Sequence, residues 1–247
     1  MSEPMISVII CTFNSGEITR RAIESVLNCN YENLECIVVD GASNDGTVDI
    51  IKSYVGNHKF RYISEPDSGI YNAMNKGWRM AKGEWIHYLG ADDELLPDGI
   101  CYLIGANKER NADVIYGNIQ YRKADGEIVL HLHHSHKQLP WKTFACHQGV
   151  IMKRTLFEKL GGFDENLRII ADKDLIIRSY FLKPKCVYLP TDATVAIFAG
   201  GGTSSNLYKS FKEDIYIFNK VHPGLKYLLY VLQHYPRMWI KDKLNFI

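Results

Sequence analysis

The 247-residue sequence predicts an α/β fold built on a mostly parallel sheet. Three observations lead there. Short apolar runs alternate with segments of helical period through the first half of the chain. The runs are mostly apolar instead of strictly alternating, as in strands covered on both faces. The segments between them carry Gly, Asn, Asp and Ser, the residues of turns. Such repetition places helices on both faces of the sheet and ligands beyond the carboxyl ends of its strands.

Taken in order, residues 6–11 predict the first strand, running into Thr12, Phe13 and Asn14. Ile18, Ala22, Val26 and Cys29 then recur at helical spacing. Residues 34–39 predict a second strand ending in Asp40, and Ser43, Asn44, Asp45 and Gly46 supply a turn. Val48, Ile51 and Val55 suggest a second helix, and residues 60–64 a third strand. Ile70, Ala73, Met74, Gly77 and Ala81 share one face of a third helix starting near Ser68. Residues 85–89 predict a fourth strand, closed by Gly90, Ala91, Asp92 and Asp93. Further on, 114–122 and 127–132 flank Asp125-Gly126 as a hairpin. A strand at 149–152, a helix at 154–160 broken by Gly161-Gly162, a helix at 175–182 and strands at 187–189 and 194–198 follow. The Gly- and Ser-rich stretch 200–206 predicts a mobile loop, and the pattern from Leu207 to the end is helical.

Composition narrows the function. The 29 Lys and Arg against 28 Asp and Glu leave a net charge of +1, which argues against a nucleic-acid partner. Hydrophobic residues at 46% and charged ones at 23% are ordinary for a globular chain. The six cysteines have neither zinc nor redox spacing and read as reduced thiols of a cytoplasmic protein. No basic region precedes the first apolar run, so no secretory leader is expected there. No stretch reaches the roughly 20 apolar residues that a membrane-spanning helix needs.

Several residues carry candidate chemistry. Asp92 and Asp93, adjacent carboxylates at a strand end, suit a hard divalent cation, Mg²⁺ or Mn²⁺, or else cap the helix beyond Pro97. Asp40 ends an apolar strand where its carboxylate either accepts from a nucleobase or ribose, or closes an Asx-turn. The run 65–77 holds Asp67, Asn72 and Lys76, with Arg79 just beyond it on the same polar face; its helix start offers N–H groups to an anion, or is a capped, solvated helix. Near 172, helical spacing puts Asp172 in line with Leu175 and Ser179, facing inward, and pairs Asp174 with Arg178 in solvent. An inward carboxylate at a helix start stays ionised, as a general base must; a plain helix cap is the other reading. His147 brings an imidazole towards the site, beside Gln148. His131, His133, His134 and His136 cluster without a visible ligand set.

Together these segments resemble the family 2 glycosyltransferases, inverting enzymes with the GT-A fold. The matching stretches are 7–14, 38–47, 67–77, 89–93, His147-Gln148, 161–165 and 171–175, in family order over most of the chain. Those at 67–77 and 147–148 are most similar to the branch that builds bacterial surface polysaccharides. The resemblance implies a GT-A catalytic domain at 1–205, with a Rossmann-like nucleotide-sugar half at 1–113 and an acceptor half at 114–205. A helical tail would occupy 206–247. It implies a nucleotide-sugar donor, a UDP-sugar, and a saccharide or lipid-linked acceptor. Thr12, Asn14, Asp40, Asp67, Lys76 and Asp92 would serve the donor, and His147 and Gln148 the acceptor side. Asp92 and Asp93 match the family's metal-binding aspartates; Gly90 replaces the first Asp often seen there, leaving both as candidate ligands. Asp172 matches the second position of the family's Glu-Asp pair, where the base lies, with Ala171 in place of the Glu. The loop 200–206 is the expected lid.

The tail is amphipathic. Leu225, Leu228, Leu229, Leu232, Tyr235, Trp239 and Ile240 form a stripe flanked by Lys226, Arg237, Lys241 and Lys243, with Pro236 interrupting it. It suits the inner face of a membrane as a peripheral anchor, or packing on the catalytic domain or on a second copy in a homodimer. Two other functions compete with transfer: a sugar-nucleotide pyrophosphorylase, and a non-catalytic sugar-nucleotide-binding or assembly subunit. The first would want a basic loop after the first strand, where 12–17 has no Lys or Arg. The second has no need of Asp172. A dehydrogenase is disfavoured because no G-x-G-x-x-G follows the first strand.

Overall fold

The computed structural model describes residues 3–107, 111–123, 125–132, 146–189, 193–199 and 207–221, with positions 224 and 232. The elements run β1 (Ile6–Thr12), α1 (Glu17–Leu27), β2 (Leu34–Asp40), α2 (Thr47–Lys52), β3 (Phe60–Ser64), α3 (Ile70–Met80) and β4 (Trp85–Gly90). Next come β5 (Glu94–Leu95), α4 (Gly99–Gly105), β6 (Val114–Tyr116), β7 (Asn118–Arg122) and β8 (Ile128–His131). A 3-10 turn (His147–Gly149), β9 (Val150–Lys153), α5 (Arg154–Leu160), α6 (Ala171–Phe181), β10 (Cys186–Tyr188), β11 (Thr194–Ala199) and α7 (Leu207–Val221) complete the order.

A seven-stranded sheet in the order β10-β6-β9-β4-β1-β2-β3 forms the centre. β4, β1, β2 and β3 are parallel, so Thr12, Asp40, Ser64 and Gly90 emerge at one edge. β9 runs antiparallel between β4 and β6. Both faces are covered, which explains the mostly apolar runs: Ile6, Val8 and Ile10 enter one core with Ile23, Val26 and Trp85, while Ile9 and Cys11 enter the other with Met74, Phe157 and Leu175. α3 lies close on β1 because position 77 is glycine; a Cβ there would sit 2.5 Å from Ile9 Cγ2. A second sheet, β5-β11-β7-β8, stands beyond the β4 end.

The structure departs from expectation at four places. The single strand expected over 114–122 is divided at Gly117, with β6 in the large sheet and β7 in the small one. A Cβ at 117 would meet Leu189 Cδ1 at 2.8 Å and Val195 Cγ2 at 3.0 Å, so the glycine lets the chain cross between the sheets. β7 and β8 then form the expected hairpin. α6 starts at Ala171, earlier than 175, and α2 stops at Lys52, leaving Val55 exposed. Ile70 is not on the buried face of α3 but 48% exposed at its start. The lid expected at 200–206, His133, His134 and His136, and the tail stripe apart from Leu232 lie outside the described residues.

Candidate active site

The parallel strand ends bring two loops together. Gly41 donates its amide to the Thr12 carbonyl (3.0 Å), Asn14 to Ser43 Oγ (2.7 Å), and Asn44 to Asn14 Oδ1 (3.0 Å). Ser15 and Gly16 donate to Thr47 Oγ1 (3.0 and 2.8 Å). Asn14 makes its part of this lattice in the left-handed region, at φ 48°. Thr12 is buried with its hydroxyl on that of Thr19, 2.9 Å away. Asp40 is fully buried: it accepts from the Ser43 amide (3.0 Å), the Ser43 hydroxyl (2.5 Å) and the Ser64 hydroxyl (2.6 Å). Its carboxylate therefore shapes the 41–46 loop here, the Asx-turn reading of this residue. Asp67 caps the start of α3 through the Gly69 amide (2.8 Å). It comes so near Gly41 that a Cβ there would lie 2.7 Å from Asp67 Oδ2. Lys76 is held by Glu65 (2.9 Å) and the Pro66 carbonyl (2.8 Å), bracing the segment before α3.

At the end of β4 the two aspartates separate in role. Asp93 is 1% exposed and accepts from the Gly90 amide (3.1 Å), the Gln148 side chain (2.8 Å) and the Ala199 amide (2.9 Å). It joins β4, the 3-10 turn and β11. Burial pushes its carboxyl above the usual range, against the pull of the Ala199 amide and with the Asp92 charge adding to the rise. Asp92 is exposed, and nothing among the described residues donates to its carboxylate.

Next to Gln148, His147 Nδ1 lies 3.1 Å from Asp172 Oδ2. The Lys173 amide donates to Asp172 Oδ1 (2.8 Å). Burial opposes ionisation of Asp172, but the hydrogen bond and charge of His147, with the Lys173 amide, hold its carboxyl below the usual range. Burial also pulls on His147, yet the Asp172 hydrogen bond and charge, then Asp93 and Asp92, leave its imidazole above the usual value. The pair lines a cavity of about 90 Å³ with Cys11, Ile70, Tyr71, Met74, Tyr88, Leu89 and Gly90. Burial and the Asp172 charge drive the Tyr71 hydroxyl's pKa upward, so it stays protonated beside the pair.

One expectation is corrected. Asp174 does not face solvent: it is fully buried, ion-paired to Arg178 at 2.6 Å. Arg178 also donates to the carbonyls of Leu160 and Gly162 (2.8 and 2.7 Å). The second side of α6 packs against the end of α5, so this pair is internal. The stripe through Asp172 opens on the cavity.

Asp93 and Asp172 are thus joined to Gln148 and His147, two neighbouring residues of one turn, with Asp92 beside Asp93 in the chain. Thr12, Asn14, Asp40 and Asp67 build the adjoining loop pair, and Lys76 stands behind it. Sequence reasoning gave no role to Tyr71 or Met74, which line the cavity from α3; periodicity marked Met74 only as core. Among the described residues, no three His, Cys, Asp or Glu side chains are grouped to hold a metal. The free Asp92 carboxylate fits a cation that takes its remaining ligands from a diphosphate and water. Asp93, with both oxygens committed, fits the support of that loop.

A sheet of this topology, with acids and an imidazole gathered beyond its parallel strand ends, defines an enzyme of the GT-A glycosyltransferase class. The chain belongs to glycosyl transferase family 2: the profile of the family described as "Glycosyl transferase family 2" matches residues 7–161. It is 28% identical over 248 residues to a "PGL/p-HBAD biosynthesis glycosyltransferase" of Mycobacterium bovis, covering 96% of this chain and 93% of that one. It is 32% identical over 204 residues to an "Uncharacterized glycosyltransferase" of Rickettsia typhi, covering 78% of this chain and 63% of the relative. In fold it is similar to S. aureus TarS 1-349 in complex with UDP-GlcNAc, with TM-score 0.72 at 18% identity over 86% of this chain. A mannosyltransferase from Pyrobaculum calidifontis in complex with GDP-Man and Mn²⁺ gives TM-score 0.68 at 18% identity over 90% of this chain. The chain spans 65% of the length of each of these two structures. No helix among the described residues is long and apolar enough to cross a membrane.

Proposed function

We propose that this glycosyltransferase moves a sugar from a UDP-sugar to a hydroxyl of a saccharide or lipid-linked acceptor, inverting the anomeric configuration in one displacement. The observation that carries the reading is the Asp172–His147 pair, 3.1 Å apart and lining a cavity that reaches the ends of β1 and β4. The acceptor oxygen attacks the anomeric carbon as the bond to the diphosphate breaks. The hydroxyl proton passes to Asp172, and the diphosphate leaves with the bonding electrons. His147 holds the carboxylate ionised and oriented for that transfer. The 12–16 and 41–47 loops, locked together and braced by Asp40 and Asp67, form the donor wall. Gln148 fixes Asp93, which fixes the turn presenting Asp92. A Mn²⁺ or Mg²⁺ ion held by Asp92 and the donor's phosphates would neutralise the charge developing on the leaving diphosphate. The saccharide or glycolipid acceptor is supported by the mycobacterial relative's name, and the UDP donor by TarS.

The test is nucleotide release from a panel of UDP- and GDP-sugars, with Mn²⁺ or Mg²⁺ and then with EDTA. UDP-sugars should be turned over, and EDTA should stop it. Release from GDP-sugars alone would overturn the donor assignment, and turnover unaffected by EDTA would overturn the role of Asp92.

A further inference from the structure

α6 carries the proposed base in its first turn, yet its start has no cap of its own. The residues entering it are Arg168, Ile169 and Ile170, and no side chain caps the helix from the Ile170 position. Ser, Thr, Asp or Asn would ordinarily fill that place. The amides are instead held from a remote part of the chain. Glu213, on α7, accepts from the Arg168 amide on Oε1 (2.7 Å) and from the Ile169 and Ile170 amides on Oε2 (2.9 and 3.0 Å). Its neighbour Asp214 pairs with Lys173, and Lys220 reaches Asp164 (3.4 Å). Ile217 completes the docking in the core that holds Ala171, Leu175 and Ile176.

We infer that Glu213 is a positioning residue for the transfer reaction, fixing through three backbone amides the segment from which Asp172 projects. The inference rests on reading Asp172 as the base. One carboxylate accepting three N–H groups is a stiff, charge-assisted grip, and it sets the path of the chain just before Asp172. A loosened entry would let the carboxylate drift from His147, and displacements of about 1 Å in a reacting constellation cost up to 100-fold in rate. The matched family profile covers residues 7–161, so Glu213 lies outside it. It places α7, outside the matched segment, in mechanical contact with the reacting centre.

The experiment compares full-length wild type with Glu213→Ala, Glu213→Gln, Asp172→Asn and the Glu213→Ala/Asp172→Asn double variant. Hydrogen exchange, which needs no ligand, should show the 168–173 amides exchanging about tenfold faster in Glu213→Ala while β1 and β4 are unchanged. Glu213→Gln, keeping one acceptor oxygen, should fall between. Nucleotide release from UDP-sugars should drop about tenfold in kcat for Glu213→Ala, with KM for the donor within about twofold. In the Asp172→Asn background the same change should have no further effect, because Glu213 acts through Asp172. Unchanged exchange at 168–173, acceleration spread evenly over the chain, or additive losses in the double variant would each overturn the inference. If Glu213→Ala does not fold, Glu213→Gln decides on the same readouts. Wild-type turnover by Asp172→Asn would instead sink the base assignment, while local loosening by Glu213→Ala would still stand.

Discussion

At the scale of single residues, the proposed chemistry gives Asp172 and Asp92 different tasks and sets His147 beside Asp172 to favour its charged form. Asp172 is held below, and His147 above, the ordinary pKa. The acid limb of turnover should therefore lie below the ordinary carboxylate value of about 4. His147→Ala leaves burial to dominate, and the limb should move up; an unmoved limb would mean that His147 does not tune the base. The pair also has a stability signature. The depressed Asp172 contributes above its unfolded pKa, a contribution lost as pH falls through its folded value. The raised His147 contributes below its unfolded pKa, a contribution lost as pH rises through its folded value. Both act together between about pH 4 and pH 6.5. Urea midpoints of wild type and His147→Ala should differ most inside that window and converge at alkaline pH.

Asp92 and Asp93 are told apart by the same logic. Asp93→Ala strips the partners from the amides of Gly90 and Ala199 and from Gln148, at a cost of roughly 2–4 kcal/mol in denaturant unfolding. Asp92→Asn, at an exposed position, should change stability by no more than about 0.5 kcal/mol while losing metal-dependent nucleotide release. A reversal of these two phenotypes would exchange their roles. Sequence reasoning named both aspartates but could not divide them, because the division depends on Gln148 and Ala199 arriving from distant segments. Asp174 failed for the same reason. Its spacing to Arg178 fits a solvated pair equally well, and only the carbonyls of Leu160 and Gly162 show the pair to be internal.

At the scale of elements, local pattern carried far. Strand β3 and helix α5 fall on the expected residues, and β1, β2 and β4 extend only one residue further. Each is a run whose period is set by burial on both faces or on one, which a sequence displays directly. What local pattern could not show was a single run serving two sheets. Residues 114–122 look like one strand, and only the approach of Leu189 and Val195 to Gly117 reveals the crossing. The contact of α3 with β1 at Gly77 is tight enough to test. Gly77→Ala should push Cβ into Ile9 and destabilise the fold by about 1–3 kcal/mol, read from denaturant midpoints. A neutral effect would show that α3 can shift on the sheet at no cost.

At the scale of the whole molecule, the parallel half brings two loops together beyond its strand ends, and the later half folds back to bring Gln148, His147 and Asp172 to the same edge. The family was legible because it rests on short motifs at strand and helix ends, and the candidate residues taken from those motifs at 92–93, 147–148 and 172 lie close together in the fold. The brace supplied by α7 was not legible, since a glutamate on an amphipathic helix has the appearance of an ordinary solvated residue until its partners are seen. Asp172 is proposed to remove the acceptor's proton in a transfer whose donor is bound by other residues. The most direct test of that role is the rate of Asp172→Asn at saturating UDP-sugar, measured beside calorimetric binding of UDP. The predicted result is a loss of roughly 10²–10⁴-fold in rate with UDP affinity within about twofold. A variant that turned over near the wild-type rate would contradict it.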